Sequence, residues 1–491
     1  MSGDVRQRYL MVIDGEQVEG GGGFRPVINP AVNKELTQVA VANREDVDRA
    51  VAAARKAFTG DWAKFGPVER SRVLLKFSDL IRENTDELAR LETLNVGKAI
   101  AGAKAEVRGA ANELEFFASH TRLTGETLPG SGSMFSYTTR QPVGVCAAIV
   151  PWNFPILMAA WKIGPALAAG CTLVLKPATA TPLTAIRLAE LALEAGIPPG
   201  VLNVVVGPGT EVGAYLVSHP GVDKVAFTGE TTTGREIMKM AADGIKRVTL
   251  ELGGKSPNVI FDDADLEGAA AASVWAIYYN AGQTCEARSR LIIHEKVYDK
   301  FLDLFTEKAR KVRIGDPLDP ETQVGSLVST SQWQRVDGYV KSGLEEGAKL
   351  LCGGRRPEGL PEPYAQGAFY EPTVLADVGI KMRVAQEEIF GPVVTATPFK
   401  DEAEAIALAN DVIYGLAGTV FTRDGARAQR VARSIKAGTV GINTPFISFP
   451  GIPFGGFKQS GIGRERASQT LDQYTETHTI LINISDRIYN P

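Results

Sequence analysis

Residues 145–176 read VCAAIVPWNFPILMAAWKIGPALAAGCTLVLK. The stretch opens on a short β-type run, 145–150. It breaks at Pro151-Trp152-Asn153-Phe154-Pro155, continues as an apolar helical run over 156–169, and closes on a second β-type run at 172–175. Further β-type runs follow at 202–206, 224–228 and 247–250, separated by helical runs at 184–195, 211–218 and 232–242. Regular strand–helix alternation predicts a parallel sheet covered by helices, which places this part of the chain in the α/β class. Ligands of such sheets bind at the carboxyl ends of the strands.

Outward from this stretch, the alternation resumes after Pro257. Strands are expected at 258–261, 289–294, 393–398, 419–422 and 439–443, and helices at 266–281, 296–312 and 402–410. This reads as a second α/β lobe. Upstream, a helix is expected after Asn43, with Val47, Ala50, Val51, Ala54 and Phe58 on one face. Another follows Pro67, with Val73, Phe77, Leu80 and Ile81 on its buried stripe. The run Gly20 to Gly23 reads as a flexible hairpin tip, since no helix pattern follows it. Segments 123–140 and 473–484 are rich in Thr, Ser and Tyr and alternate weakly. They are expected to pair as a small antiparallel unit. Edges of that kind are a liability on a monomer, so the pair reads as an oligomer contact and the chain as a homodimer or homotetramer.

The bulk properties exclude several function classes. A chain of 491 residues suggests about three lobes at roughly 150 residues each. It is 44% hydrophobic and 22% charged with a net charge of −4, so no basic excess points to nucleic acid. The longest apolar stretch, 269–279, falls short of the ~20 residues that span a bilayer, so no membrane partner is expected. Cys146, Cys171, Cys285 and Cys352 are too scattered for a disulfide framework and suit a reducing cytoplasm. With four dispersed histidines there is no zinc-site spacing, and no metal is expected.

Some residues stand where chemistry could be done. Cys285 lies in the polar break Asn280-Ala281-Gly282-Gln283-Thr284-Cys285 between a helical run and a strand, where a nucleophile can be both held and reached. A lone cysteine is more often a small buried hydrophobe. Glu251 ends a β-type run ahead of Leu252-Gly253-Gly254-Lys255. Two glycines there let another group approach, which suits a general base; a strand-end salt bridge with Lys255 is the competing reading. Asn153 could offer an amide N–H to an oxyanion, or simply serve a strand-to-helix turn. The run Phe227 to Gly234 reads as strand, Gly turn and helix start, where free N–H groups favour phosphate.

Seven motifs occur in order: PWNFP at 151–155, KPATATP at 176–182, FTGETTTG at 227–234, ELGGKSPN at 251–258, GQTC at 282–285, EEIFGPV at 387–393 and PFGGFKQSG at 453–461. Together they resemble the aldehyde dehydrogenase superfamily, from Ile28 to the strand near Leu481. The resemblance implies an aldehyde dehydrogenase-like α/β fold. Its parts would be a Rossmann-type cofactor domain (1–122 and 144–252), an α/β catalytic domain (253–460) and a small β oligomerisation arm with the C-terminal tail (123–143 and 461–491). It implies NAD- or NADP-dependent oxidation of a small-molecule aldehyde to a carboxylic acid through a cysteine thioester. By the resemblance Cys285 is the nucleophile, Glu251 the base and Asn153 the oxyanion donor. Lys176 would bind the adenosine ribose, Glu388 and Phe390 the nicotinamide ribose and ring. Trp152, Gly229 and Leu252 would lie along the dinucleotide, and Glu465 matches a carboxylate assigned to proton relay.

Two positions depart from the pattern. Thr179 stands where NAD-preferring relatives often carry Glu, so NADP is expected to be accepted. Glu230 stands where Ser is common; an acid facing a pyrophosphate would be repelled, so Glu230 is expected to point away. Glu251 argues for water rather than CoA as the acyl acceptor. A retired enzyme would be expected to lack Cys285 or Glu251; a thiol esterase would use both without a cofactor. By the same resemblance Phe154, Met158, Trp161, Tyr279, Thr284 and the 446–454 loop line the substrate tunnel. That lining holds no evident carboxylate or arginine clamp, so uncharged aliphatic or aromatic aldehydes are expected.

Overall fold

A computed structural model describes residues 5–130, 134–445 and 449–485. Its central eight-stranded sheet runs, edge to edge, through Gly461–Ile462, Arg247–Glu251, Lys224–Thr228, Val145–Ile149, Thr172–Lys176, Leu202–Val204, Met11–Ile13 and Glu16–Val18. The middle five strands pair in parallel. Four of them, Val145–Ile149, Thr172–Lys176, Leu202–Val204 and Lys224–Thr228, are buried along their whole length. This burial explains why they read as largely apolar runs. From Val145–Ile149 the chain steps to one side through Thr172–Lys176 and Leu202–Val204, then returns to the other side with Lys224–Thr228. Strand order therefore reverses beside Val145–Ile149, and the loop 151–154 sits at that switch point, where such sheets open a ligand crevice.

The helix Pro155–Ala169 begins with Pro in its first turn and ends on Gly170 at φ 91°. It is buried along nearly its whole length, Lys162 included. Arg44–Thr59 starts as expected on Asn43, whose side chain accepts from the Asp46 N–H while Asp46 caps in return. Val47, Ala50, Val51 and Ala54 are buried and Phe58 half-buried. In Pro67–Glu83 the stripe is Leu74, Phe77, Ser78 and Ile81, with Val73 and Leu80 only half-buried. Two helices without a sequence expectation, Thr85–Val96 and Ile100–Ala118, pack nearby. Residues 211–218 are not one helix: a π-helical turn, Gly209–Gly213, precedes Ala214–Ser218.

The glycine run at 20–23 is not a hairpin tip. It passes from the large sheet to a separate three-stranded sheet that holds Phe24–Asn29 and Lys34–Ala40. It is tied down there by Gly22 N–H to the Val41 carbonyl (2.9 Å) and Gly21 N–H to Asp46 Oδ2 (2.7 Å).

The second large sheet has seven strands in the order Lys349–Cys352, Thr373–Ala376, Val393–Phe399, Arg290–His294, Pro257–Ile260, Ala417–Phe421 and Thr439–Ile442. All pair in parallel except Lys349–Cys352. The first two strands and the helices Thr330–Glu345 and Gly425–Ser434 add to the expected elements. Thr475–Asn483 pairs antiparallel with Met134–Pro142 residue for residue, and Thr127–Leu128 completes that small sheet. Phe135, Leu481 and Ile482 are exposed on it. Gly461–Ile462, expected within the tail, instead closes the edge of the central sheet against Leu250 and Glu251. Among the described residues no helix is long and apolar enough to cross a membrane.

Candidate active site

Nine of the expected catalytic and cofactor residues line one cleft of about 140 Å³ at the carboxyl ends of the central strands. The loop after Val145–Ile149 supplies Trp152 and Asn153. The turn after Lys224–Thr228 supplies Gly229 and Glu230, and the end of Arg247–Glu251 supplies Glu251 and Leu252. From the second sheet's side come Cys285, Glu388 and Phe390.

The backbone before Cys285 is coiled tightly. Asn280, Ala281 and Gly282 all have positive φ (50°, 54° and 71°), a run that only surrounding structure can hold. Gln283 supplies that hold: its Nε2 donates to the Asn280 carbonyl (3.1 Å) and its Oε1 accepts from the Val328 N–H (2.9 Å). The loop thus raises a half-buried Cys285 into the cleft. Loss of water pushes its thiol well above the usual range, and the carboxylates of Glu251, Glu286 and Glu388 push the same way. The resting group is a thiol.

Glu251 is only 3% exposed, and its Oε1 has no hydrogen-bond partner. Lys255 does not pair with it; its own Nζ is buried and without a hydrogen-bond partner. Burial raises the Glu251 carboxyl well above the carboxylate range, repulsion from Glu465 adds to this, and Lys162 and Arg464 oppose it. Lys162 in turn contacts Glu465 and donates to Thr228 Oγ1 at 2.7 Å. The glycines after Glu251 act as expected. A Cβ on Gly253 would collide with the Glu388 carboxylate, and one on Gly254 with the Cys285 carbonyl. Gly254 N–H donates to Glu388 Oε1 at 3.0 Å, and burial lifts the Glu388 carboxyl to about 7.

Asn153 donates one amide hydrogen from Nδ2 to the Gln283 carbonyl at 2.8 Å. That acceptor fixes which way the amide faces, and the second hydrogen stays available. The Asn153 carbonyl is gripped by Lys98 Nζ (2.8 Å) and Asn280 Nδ2 (3.0 Å). Lys98 is buried between Glu92 and Glu106. Neither Lys98 nor Lys162 was singled out in the sequence. The signal for Lys162 was a lone charge in an apolar helix; Lys98 gave none.

Lys176 and Thr179 lie apart from this cleft, on the strand and loop next along the sheet. Lys176 is buried, its Nζ donates to the Pro177 carbonyl at 3.0 Å, and burial lowers it to about 8. Thr179 Oγ1 donates to the Gly207 carbonyl at 2.6 Å. Phe390 (φ 60°) meets Trp152 edge-on at 5.1 Å between centroids, and Gln332 Nε2 donates to the Phe390 carbonyl at 2.7 Å. Glu230 does not turn away from the cleft. It reaches across to Arg335 on Thr330–Glu345, 3.6 Å distant, a cation far away in sequence. Gln332 and Arg335 are cleft residues that the sequence reading missed.

The sequence profile of the Aldehyde dehydrogenase family matches residues 18–480. The chain belongs to the aldehyde dehydrogenase family. It is 43% identical to betaine aldehyde dehydrogenase of Bacillus subtilis (strain 168), over 98% of each chain. It is 48% identical to 5-carboxymethyl-2-hydroxymuconate semialdehyde dehydrogenase of Escherichia coli, over 92% of this chain and 96% of that one. Among solved structures, the NAD+ complex of the Bacillus cereus aldehyde dehydrogenase is 45% identical and covers 97% of both chains at a TM-score of 0.95. This aldehyde dehydrogenase is therefore an oxidoreductase that uses NAD(P) to convert an aldehyde to an acid.

On the other side of Cys285 lies a second cavity of about 240 Å³. Phe154, Met158, Trp161, Tyr279 and Thr284 line it as expected, with Phe454 from the 446–454 loop; Phe446 falls outside the described residues. The expectation of an uncharged lining does not hold, because Glu106, Glu286 and Arg466 also reach this wall. Glu106 comes from a helix distant in sequence from the tunnel motifs, Glu286 from the position after the nucleophile and Arg466 from the position after Glu465.

Proposed function

We propose that this aldehyde dehydrogenase acts through Cys285, with Asn153 as oxyanion donor and Glu251 as base. The observation that carries this reading is that Cys285 borders both cavities at once, and the unpartnered Glu251 carboxylate lies in the first. Cys285 gives up its proton to solvent and the thiolate Sγ attacks the aldehyde carbon. The new oxyanion accepts hydrogen bonds from the free Asn153 Nδ2 hydrogen and the Cys285 N–H. Collapse of the thiohemiacetal restores the carbonyl and releases hydride, leaving a thioester on Sγ. A bound nicotinamide supplies the hydride acceptor. Trp152, Glu388 and Phe390 hold its site, with Gly229 and Leu252 along the dinucleotide. Glu251 then takes a proton from the water that attacks the thioester, and the acid departs. Removing a pre-positioned oxyanion donor costs on the order of 10²–10³ in rate. Asn153→Ala should lower kcat by that factor while dinucleotide affinity holds; a loss of only about two-fold would take Asn153 out of this role.

NADP is accepted at least comparably with NAD in this reading. Thr179 puts no charge beside the adenosine ribose, and Lys176 supplies a cation three positions away in sequence. Because its hydroxyl hydrogen is held by Gly207, Thr179 favours a 2′-phosphate by lacking charge and bulk rather than by donating to it. A glutamate there would repel that phosphate where water is partly excluded. At an effective dielectric near 20 such a contact is worth a few kcal/mol, so Thr179→Glu should lower kcat/KM for NADP by about a hundred-fold and spare NAD. Reduced nicotinamide followed at saturating aldehyde tests this and the activity together. Wild type that uses NAD alone, or equal losses on both cofactors, would separate Thr179 from the preference.

The central sheet with its helices serves as the cofactor domain and the seven-stranded sheet as the catalytic domain. The exposed strand pair of Met134–Pro142 and Thr475–Asn483 serves as the contact of a dimer or tetramer, which light scattering reads directly. The scattered free cysteines suit a cytoplasmic enzyme. The relatives' names include both a cationic aldehyde and a carboxylated semialdehyde, so the charge of the substrate has to come from this chain's own cavity.

A further inference from the structure

We propose that the substrate cavity receives an aldehyde carrying a carboxylate at its far end, and that Arg466 is the residue that binds it. This rests on the reading of Cys285 as the nucleophile bordering that cavity. Arg466 has φ 69°, a backbone conformation rare for a non-glycine residue and characteristic of sites where a side chain is held for a purpose. Its carbonyl accepts from the Gly451 N–H at 2.8 Å. The residue is 4% exposed, and its guanidinium lies 4.7 Å from the Trp161 ring centroid and donates from Nε to Glu113 Oε2 at 3.1 Å. Among the described residues its Nη1 and Nη2 have no acceptor, while the residue lines the same cavity as Cys285. A buried guanidinium with its fork of donors open toward a cavity matches a carboxylate, which takes two parallel hydrogen bonds.

The cavity's two carboxylates each have a partner in place. Glu106 contacts Lys98 and accepts from the Tyr279 hydroxyl at 2.9 Å. Glu286 lies 3.5 Å from Arg288 Nη1. Glu113 is fully buried, and burial lifts its carboxyl to about 7, so near neutral pH it offsets only part of the Arg466 charge. The aromatic faces argue against the opposite choice. A cationic substrate would be held on ring faces, and two of the cavity's rings already hold a cation: Arg466 lies over Trp161 and Lys98 over Phe154, each 4.7 Å from the ring centroid.

The test compares three aldehydes of similar length: 5-oxopentanoate, pentanal and a trimethylammonium-ended aldehyde. Hydrogen bonds to charged groups are worth enough to change an equilibrium by about ten- to a hundred-fold. Wild type should prefer 5-oxopentanoate to pentanal in kcat/KM by that factor and disfavour the ammonium aldehyde. In Arg466→Leu the preference should collapse; Arg466→Lys, which keeps the charge without the fork and the buried pairing with Glu113, should keep part of it and guards against a misfolded Leu variant. Calorimetry with glutarate, the corresponding product, should show binding to wild type that weakens by a similar factor in both variants, more in Leu. Turnover of pentanal with no preference for the carboxylate, preference for the ammonium aldehyde, or an unchanged ratio in the variants would overturn the assignment of Arg466 alone. No oxidation of any of the three would overturn the activity reading beneath it.

Discussion

Cys285→Ala is expected to bind dinucleotide and to oxidise no aldehyde. No other cysteine can substitute. Cys146 and Cys171 are fully buried in the core of the central sheet, and Cys352 lies on the edge strand Lys349–Cys352 of the second sheet. The thioester therefore has one possible sulfur. Loss of a nucleophile that acts as a unit with its neighbours costs about 10⁴-fold or more, so turnover should fall below detection in an absorbance assay of reduced nicotinamide. The substitution removes one half-buried sulfur and leaves the Gln283 contacts that shape the loop, so stability should change by no more than about 1–2 kcal/mol. Quenching of protein fluorescence by dinucleotide should persist. Cys146→Ala and Cys352→Ala should keep most activity. Turnover by Cys285→Ala within about a hundred-fold of wild type would remove the covalent mechanism.

Glu251→Gln should separate the two halves of the reaction. The glutamine keeps the shape of the side chain but cannot take a proton from water, and positioned acid–base groups contribute about 10²–10⁴-fold. A burst of reduced cofactor should therefore precede a steady state slowed by that factor. The pH dependence carries a second signature. Burial and the Glu465 charge raise the Glu251 carboxyl well above its usual range, so the base is protonated and idle at low pH and becomes active as pH rises through its folded value. Wild-type deacylation should climb with pH on that limb, and Glu251→Gln should lose the limb. A variant that keeps both the steady-state rate and the ascending limb would assign the base elsewhere.

How much of this was legible in the sequence depended on the span of each interaction. The central parallel strands showed plainly because burial on both faces makes them continuous apolar runs. The helix Ile100–Ala118 escaped because much of its buried side is alanine, at Ala103, Ala110, Ala111 and Ala118, which gives a weak periodic signal. Lys349–Cys352 escaped because it is an edge strand with its first two residues exposed. Cys285, Glu251 and Asn153 stood out because each sits in a short motif at a strand end or loop. Their supports did not, since these are tertiary. Lys98 reaches Asn153 across 55 positions, Lys162 reaches Glu465 across 303, and Arg466 reaches Glu113 across 353. The direction of Glu230 was misjudged for the same reason: the cation that draws it across the cleft, Arg335, is far away in sequence.

The central claim is a thioester on Cys285 hydrolysed with the help of Glu251. The most direct measurement is mass spectrometry of Glu251→Gln, acid-quenched during a single turnover with aldehyde and dinucleotide and then digested. The account predicts an added acyl mass confined to the peptide that contains Cys285, rising in step with reduced cofactor and absent from Cys285→Ala. A full burst of reduced cofactor with no acyl adduct on that peptide, or an adduct on another residue, would contradict it.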